Sequence, residues 1–248
     1  MRPELYFTDL PILSFKTRAL QEKFAVLGKS ANVLPRQLGW LPRRSCLRCR
    51  RPLAACYCTV VKPFESKPRF VILTHRKEAK HSFGTGRMAY LCIRNALRIE
   101  GADFSEDETT NRMIQDPDLF SVVLYPGPGA TNLSMVPAPQ RAALVPAGRE
   151  LNVFVLDGTW RTAGKMIRLS RNLQVLPRVC FVPPTPSAFR IRRQPHPDFY
   201  STIEAIHHVI DLFAPTENEN PAKPRPHDNL LAVFGTAVNR QLSYTDRS

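Results

Sequence analysis

The chain has 248 residues, 43% of them hydrophobic, with 35 Lys and Arg against 21 Asp and Glu and a formal net charge of +14. That size and apolar content exclude a disordered chain and suit one large domain with small appendages. The charge excess points to a polyanionic partner, nucleic acid before an anionic membrane, the bland alternative being a basic protein with no such partner.

No run approaches the ~18 apolar residues that a bilayer span needs. The opening MRPELYFTDLPILSF holds early acids and no continuous apolar stretch, so it does not read as a signal peptide and a cytoplasmic protein is expected. Residues 1–44 read as a basic leader. Its helical middle, Lys16–Leu27, carries Lys16, Arg18 and Lys23, and the Pro- and Arg-rich 35–44 stretch reads as an extended approach to a cysteine-rich segment.

Four of the six cysteines fall in that segment, CLRCRRPLAACYC, as Cys46, Cys49, Cys56 and Cys58. In a reducing compartment, clustered cysteines are metal ligands before they are disulfides. Four thiolates satisfy tetrahedral zinc and leave no position open for water, so the ion expected over 45–62 is structural. The second pair, Cys-x-Cys, is tighter than the usual spacing. Arg48, Arg50 and Arg51 argue against the alternative of four buried free thiols, and would make the knuckle an RNA-facing surface.

The remaining residues, 63–248, alternate strand and helix. RFVILTH (Arg69–His75) reads as a buried strand; Thr85-Gly86 then starts a helix with Met88, Leu91, Cys92 and Leu97 on or near one face. Val122–Tyr125 is a second strand, LNVFVLDG (Leu151–Gly158) a third and VLPRVCFVPP (Val175–Pro184) a fourth. DFYSTIEAIHHVIDLF is an amphipathic helix opened by Ser201 or Thr202, with Glu204 close behind as a capping signal. A polar, Pro-rich linker (214–229) leads to a last helix, NLLAVFGTAVNRQLS, with a glycine inside it. The pattern predicts a largely parallel α/β sheet with binding loops at the carboxyl ends of its strands. The loops 126–132, 157–160 and 183–193 would then converge on one rim.

The chemistry concentrates there. YPGPGATNL lacks the Gly-x-Gly-x-x-Gly phosphate pattern, and no P-loop lysine occurs, which weighs against nucleoside triphosphate or dinucleotide enzymes. Its glycines and prolines suit either close backbone approach to a flat ligand or an ordinary turn. A buried strand that ends in Asp157-Gly158-Thr159-Trp160 has an indole no plain turn requires. Arg190, Arg192, Arg193 and His196 precede a helix N-terminus and, with Ser187, Ser201 and Thr202, favour a carboxylate or phosphate over a merely solvated basic loop. His75 is read as a satisfied core histidine. His207 and His208 have no acidic or cysteine partner at ligand spacing and are assigned no metal.

LDGTW (Leu156–Trp160) resembles the signature of the DTW-domain family in its Asp-x-Thr-Trp form. Four further features of that family appear in order between residues 46 and about 210: the cysteine cluster, His75-x2-Glu78 with Thr85-Gly86, Tyr125-Pro126, and an Arg-rich loop leading into Ser201-Thr202-x-Glu204-Ala205. The departures are the leader before Pro42, Phe83, and the absence of a proline after the histidine in THRKE. The resemblance implies a tRNA-uridine aminocarboxypropyltransferase, which moves the 3-amino-3-carboxypropyl group of S-adenosylmethionine to N3 of a uridine and releases methylthioadenosine. It also implies kinship with the SPOUT methyltransferases: a mostly parallel sheet with helices on both faces, a trefoil knot left open.

On that resemblance Asp157 is the base or the anchor for the amino group. Thr159 donates a hydrogen bond, and Trp160 offers a π-face, its alternative being a core indole at the strand–helix corner. The expected cofactor contacts are Leu124, Tyr125, Pro126, Gly127, Leu156, Asp157, Gly158, Ser187, Arg190, Arg193, Ser201, Thr202 and Glu204. Gly158 would let backbone approach the ligand, and Arg190 and Arg193 would clamp the methionine carboxylate so that the γ-carbon faces the base. tRNA, S-adenosylmethionine and zinc are thus the expected partners, with no membrane and no obligate protein partner. The alternatives are methyl transfer to RNA from the same donor, and a non-catalytic zinc-containing RNA-binding protein.

Overall fold

The computed structural model describes residues 44–191, 199–213 and 225–245. The leader with its expected Lys16–Leu27 helix lies outside the described residues, as do 192–198 and 214–224. From Arg44 onward the chain forms one compact unit.

At its centre is a six-stranded sheet in which every pairing is parallel. The strands are β1 (Arg69–His75), β2 (Leu97–Gly101), β3 (Leu119–Leu124), β4 (Thr131–Asn132), β5 (Glu150–Asp157) and β6 (Arg178–Cys180), in the order β2-β1-β5-β3-β6-β4. The near-continuous apolar runs of β1 and β5 follow from burial on both faces. Phe70, Ile72, Val153 and Val155 enter one apolar cluster, where they meet Met88 of α2 (Thr85–Cys92), Ile203 and Ile206 of α7 (Thr202–Phe213), and Val233 and Phe234 of α8 (Asp228–Thr245). Val71, Leu73 and Phe154 enter the other. There they meet Met113 of α3 (Glu108–Gln115), Met166 and Ile167 of α5 (Trp160–Leu169), and Leu173 of α6 (Arg171–Gln174). Two short helices, α1 (Arg76–Lys80) and α4 (Ala138–Ala143), complete the layers. The expected parallel sheet with helices on both faces is what the chain builds.

Four details differ from the sequence reading. Leu97 is not on a helix: α2 stops at Cys92, because Asn95 leaves it to hydrogen-bond both the N–H and the C=O of Ser66, and Leu97 opens β2. The strand expected over Val122–Tyr125 starts earlier and ends at Leu124, and β6 is only three residues long. β4 and α3 gave no readable signal, being a two-residue edge strand and a helix with few apolar residues. The capping signal before α7 is present as read: the Glu204 carboxylate accepts the Ser201 N–H at 2.9 Å and the Ser201 hydroxyl at 2.6 Å.

After β1 the chain winds outward to β2, and after β3 it builds the other edge, with β5 inserted between β1 and β3. The carboxyl ends of β1, β5 and β3 therefore flank a switch point of the topology, where open parallel sheets leave a crevice.

Candidate active site

A cavity of about 500 Å³ fills that crevice. Leu124, Tyr125 and Pro126 line it from the β3 loop, Leu156 to Trp160 from the β5 loop, and Cys180 to Pro183 from the β6 loop; Ser201 and Thr202 close it at the start of α7. The three loops expected to share a rim do so as far as they are described.

Asp157 sits at its floor, 2% exposed. Its Oδ1 accepts the Gly86 N–H at 3.2 Å and the Thr202 hydroxyl at 2.8 Å, so one carboxylate joins the ends of β5, α2 and α7. A Cβ on Gly86 would lie 2.3 Å from Asp157 Oδ2, so only glycine lets this helix start come so close. Burial pushes the Asp157 carboxyl above the usual carboxylate range; the Thr202 hydroxyl opposes that rise and the neighbouring Glu78 charge adds to it. Glu78, itself buried, is a second acid on the lining.

The rest of the β5 loop divides its roles. Gly158 lines the cavity, and a Cβ there would also meet Thr162 Oγ1 at 2.5 Å, so tight packing on α5 demands glycine as well as any ligand. Thr159 is the N-cap of α5, its Oγ1 accepting the Thr162 N–H at 3.1 Å. Trp160 is 37% exposed at the rim, with ring centroids 4.4 Å from Phe199 and 6.3 Å from Tyr125. A core indole is therefore not its role. His75 is buried and its Nδ1 accepts the Lys77 N–H at 3.2 Å as the cap of α1, the satisfied histidine expected.

Other expected contacts stand apart from the lining. Gly127 and Gly129 adopt φ of 150° and 77°, values that shape the loop's turn, and Gly127 does not face the cavity. Ser187 and Glu204 bond each other at 2.8 Å, and Glu204 also accepts the Ala188 N–H at 2.7 Å, so this carboxylate staples the 187–191 loop to α7. Arg190 reaches toward Asn239 of α8 at 3.5 Å rather than into the cavity, and Arg193 lies outside the described residues. Sequence reasoning omitted Glu78, Thr85, Phe181, Phe189, Phe199 and Tyr200, all on the lining. Glu78 and Thr85 did carry a signal, standing in the His-x2-Glu and Thr-Gly features; the aromatics did not, since only folding turns them inward.

The four cluster cysteines come together. The Cys46–Cys58 and Cys49–Cys56 sulfur pairs are each 3.7 Å apart, and all four sulfurs lie within 4.8 Å of one another. Arg50 holds a left-handed φ of 58°, and the turn aims the backbone N–H groups of Cys49 and Arg48 at Cys46, which lowers that thiol to about 6. Such a set fits a closed tetrahedral thiolate site. Burial is uneven, contrary to the reading from the arginines: Cys49 is 1% and Arg51 3% exposed, with Arg51 over the Phe83 ring and bonded to Gln241 of α8. Arg48 and Arg50 are exposed.

His207 also differs from expectation. Asp211, four residues on, faces its Nδ1 at 3.4 Å, Asp228 its Nε2 at 2.9 Å, and Asp211 bonds His227 at 2.8 Å. His207, Asp211 and His227 lie within reach of a shared ion, but Arg225 bonds both Asp211 and Asp228 and supplies the countercharge. The cluster thus reads as an ion-pair staple between α7 and α8.

Among the described residues no helix is long and apolar enough to cross a membrane. No solved structure matches the chain significantly. It is 29% identical over 173 residues to a protein of Mus musculus named tRNA-uridine aminocarboxypropyltransferase 2, covering 65% of this chain and 54% of that one. The match therefore spans about half the length of the mouse protein. A Drosophila melanogaster protein of the same name is 26% identical over 207 residues, 81% of this chain and 76% of its own. The family model described as the DTW domain matches residues 43–242, from the cysteine cluster through α8, and the chain belongs to the DTW-domain family.

Proposed function

We propose that this protein is an enzyme that transfers the 3-amino-3-carboxypropyl group of S-adenosylmethionine to N3 of a uridine in tRNA. The observation that carries the reading is the character of the cavity. Its described lining holds two buried acids, Asp157 and Glu78, several aromatic rings and no Lys or Arg. Acids and π-faces favour a ligand that is itself cationic and carries flat rings, as a sulfonium nucleoside does. The names of the mouse and fly relatives point the same way.

S-adenosylmethionine supplies the transferred group on its γ-carbon, with methylthioadenosine as the leaving group. The chain's own residues do the rest. Asp157, with its carboxyl raised by burial, accepts the proton that uridine N3 gives up, because a carboxylate displaced upward is the stronger base. Thr202 and the Gly86 N–H hold its Oδ1 fixed. Tyr125, Trp160 and Phe199 stack flat rings at the mouth. With Arg190 turned toward α8, the N-terminal turn of α7 is the anchor for the donor's carboxylate, and Arg193 is a sequence-level candidate to assist it. Holding the carboxylate there selects the γ-carbon over the methyl group by orientation. Cys46, Cys49, Cys56 and Cys58 would hold a zinc ion in a closed four-thiolate site, where it would be structural and take no part in the chemistry.

The test is mass spectrometry of nucleosides from unmodified tRNA incubated with the protein and S-adenosylmethionine. Aminocarboxypropyl-uridine with released methylthioadenosine is expected, and Asp157→Asn should abolish it while tRNA binding survives. A methyl-uridine product would replace the reading with methyl transfer. Undiminished modification by Asp157→Asn would remove that residue from the chemistry.

A further inference from the structure

Between Gly158 and Pro197 the chain has eight Lys and Arg and no acid. Folding turns the first three of these cations into a surface. Arg161, Lys165 and Arg168 lie at spacings of four and three along α5, hence on one face. All three are exposed, while Ala163, Met166 and Ile167 fix the opposite face in the core. Arg76, Lys77 and Lys80 of α1 are exposed beside them, because α1 and α5 spring from the ends of the paired strands β1 and β5. Among the described residues none of the six is ion-paired with a carboxylate, and the only acid of α1, Glu78, is turned into the cavity.

This surface runs up to the cavity mouth. Trp160, at the rim, is the first residue of α5. A Cβ on Gly164 would lie 3.2 Å from the Tyr125 hydroxyl and 3.7 Å from an Arg168 guanidinium nitrogen, so Arg168 and the cavity's tyrosine both approach the same turn of α5. His75 lies beside the β5 loop, its Cβ 3.5 Å from where a Gly158 Cβ would be. Burial, then the charges of Lys77 and Lys165, hold its imidazole below the ordinary value, so both helices' cations converge on it.

We infer that the exposed faces of α1 and α5 form the track for the RNA phosphate backbone, with Arg161, Lys165 and Arg168 contacting successive phosphates next to the uridine that enters over Trp160. The inference deepens the tRNA reading above and rests on it. Like charges stacked on one helix face repel, and a row of phosphates relieves that repulsion. The three α5 cations span about 10 Å along the axis, enough to follow a strand past the mouth. Among the described residues the cations lie outside the cavity lining, on the surface around it, where contacts to a backbone that positions the strand would fall.

The test compares Arg161→Gln/Lys165→Gln/Arg168→Gln with a control, Lys67→Gln/Arg149→Gln, whose exposed cations lie in a groove at the amino end of the sheet. Binding of unmodified tRNA transcript to the full chain is measured over a series of salt concentrations, and S-adenosylmethionine binding by calorimetry. Each lost phosphate contact lowers the log–log salt slope by roughly 0.7–0.9. The α5 variant is expected to lose about 2–3 from the slope and about tenfold or more in tRNA affinity, with donor binding unchanged and the control close to wild type. An α5 variant with wild-type slope and affinity would overturn the track and leave the proposed activity standing. Equal losses in both variants would also overturn it, since attraction would then be diffuse. A wild-type chain that binds no tRNA would remove the tRNA reading itself.

Discussion

Replacing Gly86 with alanine isolates the close approach on which the cavity floor depends. The added Cβ would lie 2.3 Å from Asp157 Oδ2, 2.4 Å from its Cγ and 2.8 Å from Oδ1, where ordinary contacts begin near 3.4 Å. Overpacking of this kind costs about 1–3 kcal/mol. The 3.2 Å bond from the Gly86 N–H to Oδ1 breaks as well, for about 1 kcal/mol more. Alanine's better helix propensity returns about 1 kcal/mol, leaving a net loss of about 1–3 kcal/mol. Gly235, inside α8, is the matched comparison, because a Cβ there meets nothing within 4 Å. Gly235→Ala should therefore stabilise by about 1 kcal/mol through propensity alone. Urea unfolding of the two variants reads the difference, a gap of about 2–4 kcal/mol. Gly86→Ala with stability equal to that of Gly235→Ala would refute the reasoning, since the carboxylate would then be free to move.

Two more expectations concern the elements around the site. Purified protein should hold about one zinc per chain, and Cys46→Ser/Cys49→Ser should lose it; elemental analysis that still finds the metal would reject the thiolate site. Burial alone would raise Asp211 and Asp228, but His227, His207 and Arg225 overcome it for Asp211, and Arg225 and His207 for Asp228, leaving both carboxyls below their ordinary range. Their stabilising contribution is therefore complete above the ordinary carboxylate value of about 4 and is lost as pH falls through the lowered ones. Arg225→Gln should shift the acid-unfolding midpoint upward, and an unchanged circular-dichroism midpoint would show that the staple contributes nothing.

What was legible was what local chemistry dictates. Runs such as RFVIL and LNVFVL are apolar at almost every position because both faces of a parallel strand are covered, and that is readable without knowing the partner strands. Cys-x2-Cys and Cys-x-Cys fall within one short segment, so four thiols can meet without help from distant elements, and Ser201-Thr202-Ile203-Glu204 caps its own helix. Leu97 was misplaced because the break after Cys92 comes from Ser66, about thirty residues away in sequence.

The sequence by itself determined the strand–helix alternation, the thiolate cluster, the basic charge and the position of Asp157 at a strand end. Only the tertiary structure decided what that aspartate touches, since Gly86 and Thr202 reach it from helices 71 and 45 residues away. It likewise turned Arg190 toward α8, buried Arg51 against Phe83 and Gln241, and set the acid Asp211 between His207 and His227. Side-chain direction depends on the packing of elements distant in sequence, and a charge has no intrinsic preference between solvent, cavity and ion pair until that packing sets its surroundings.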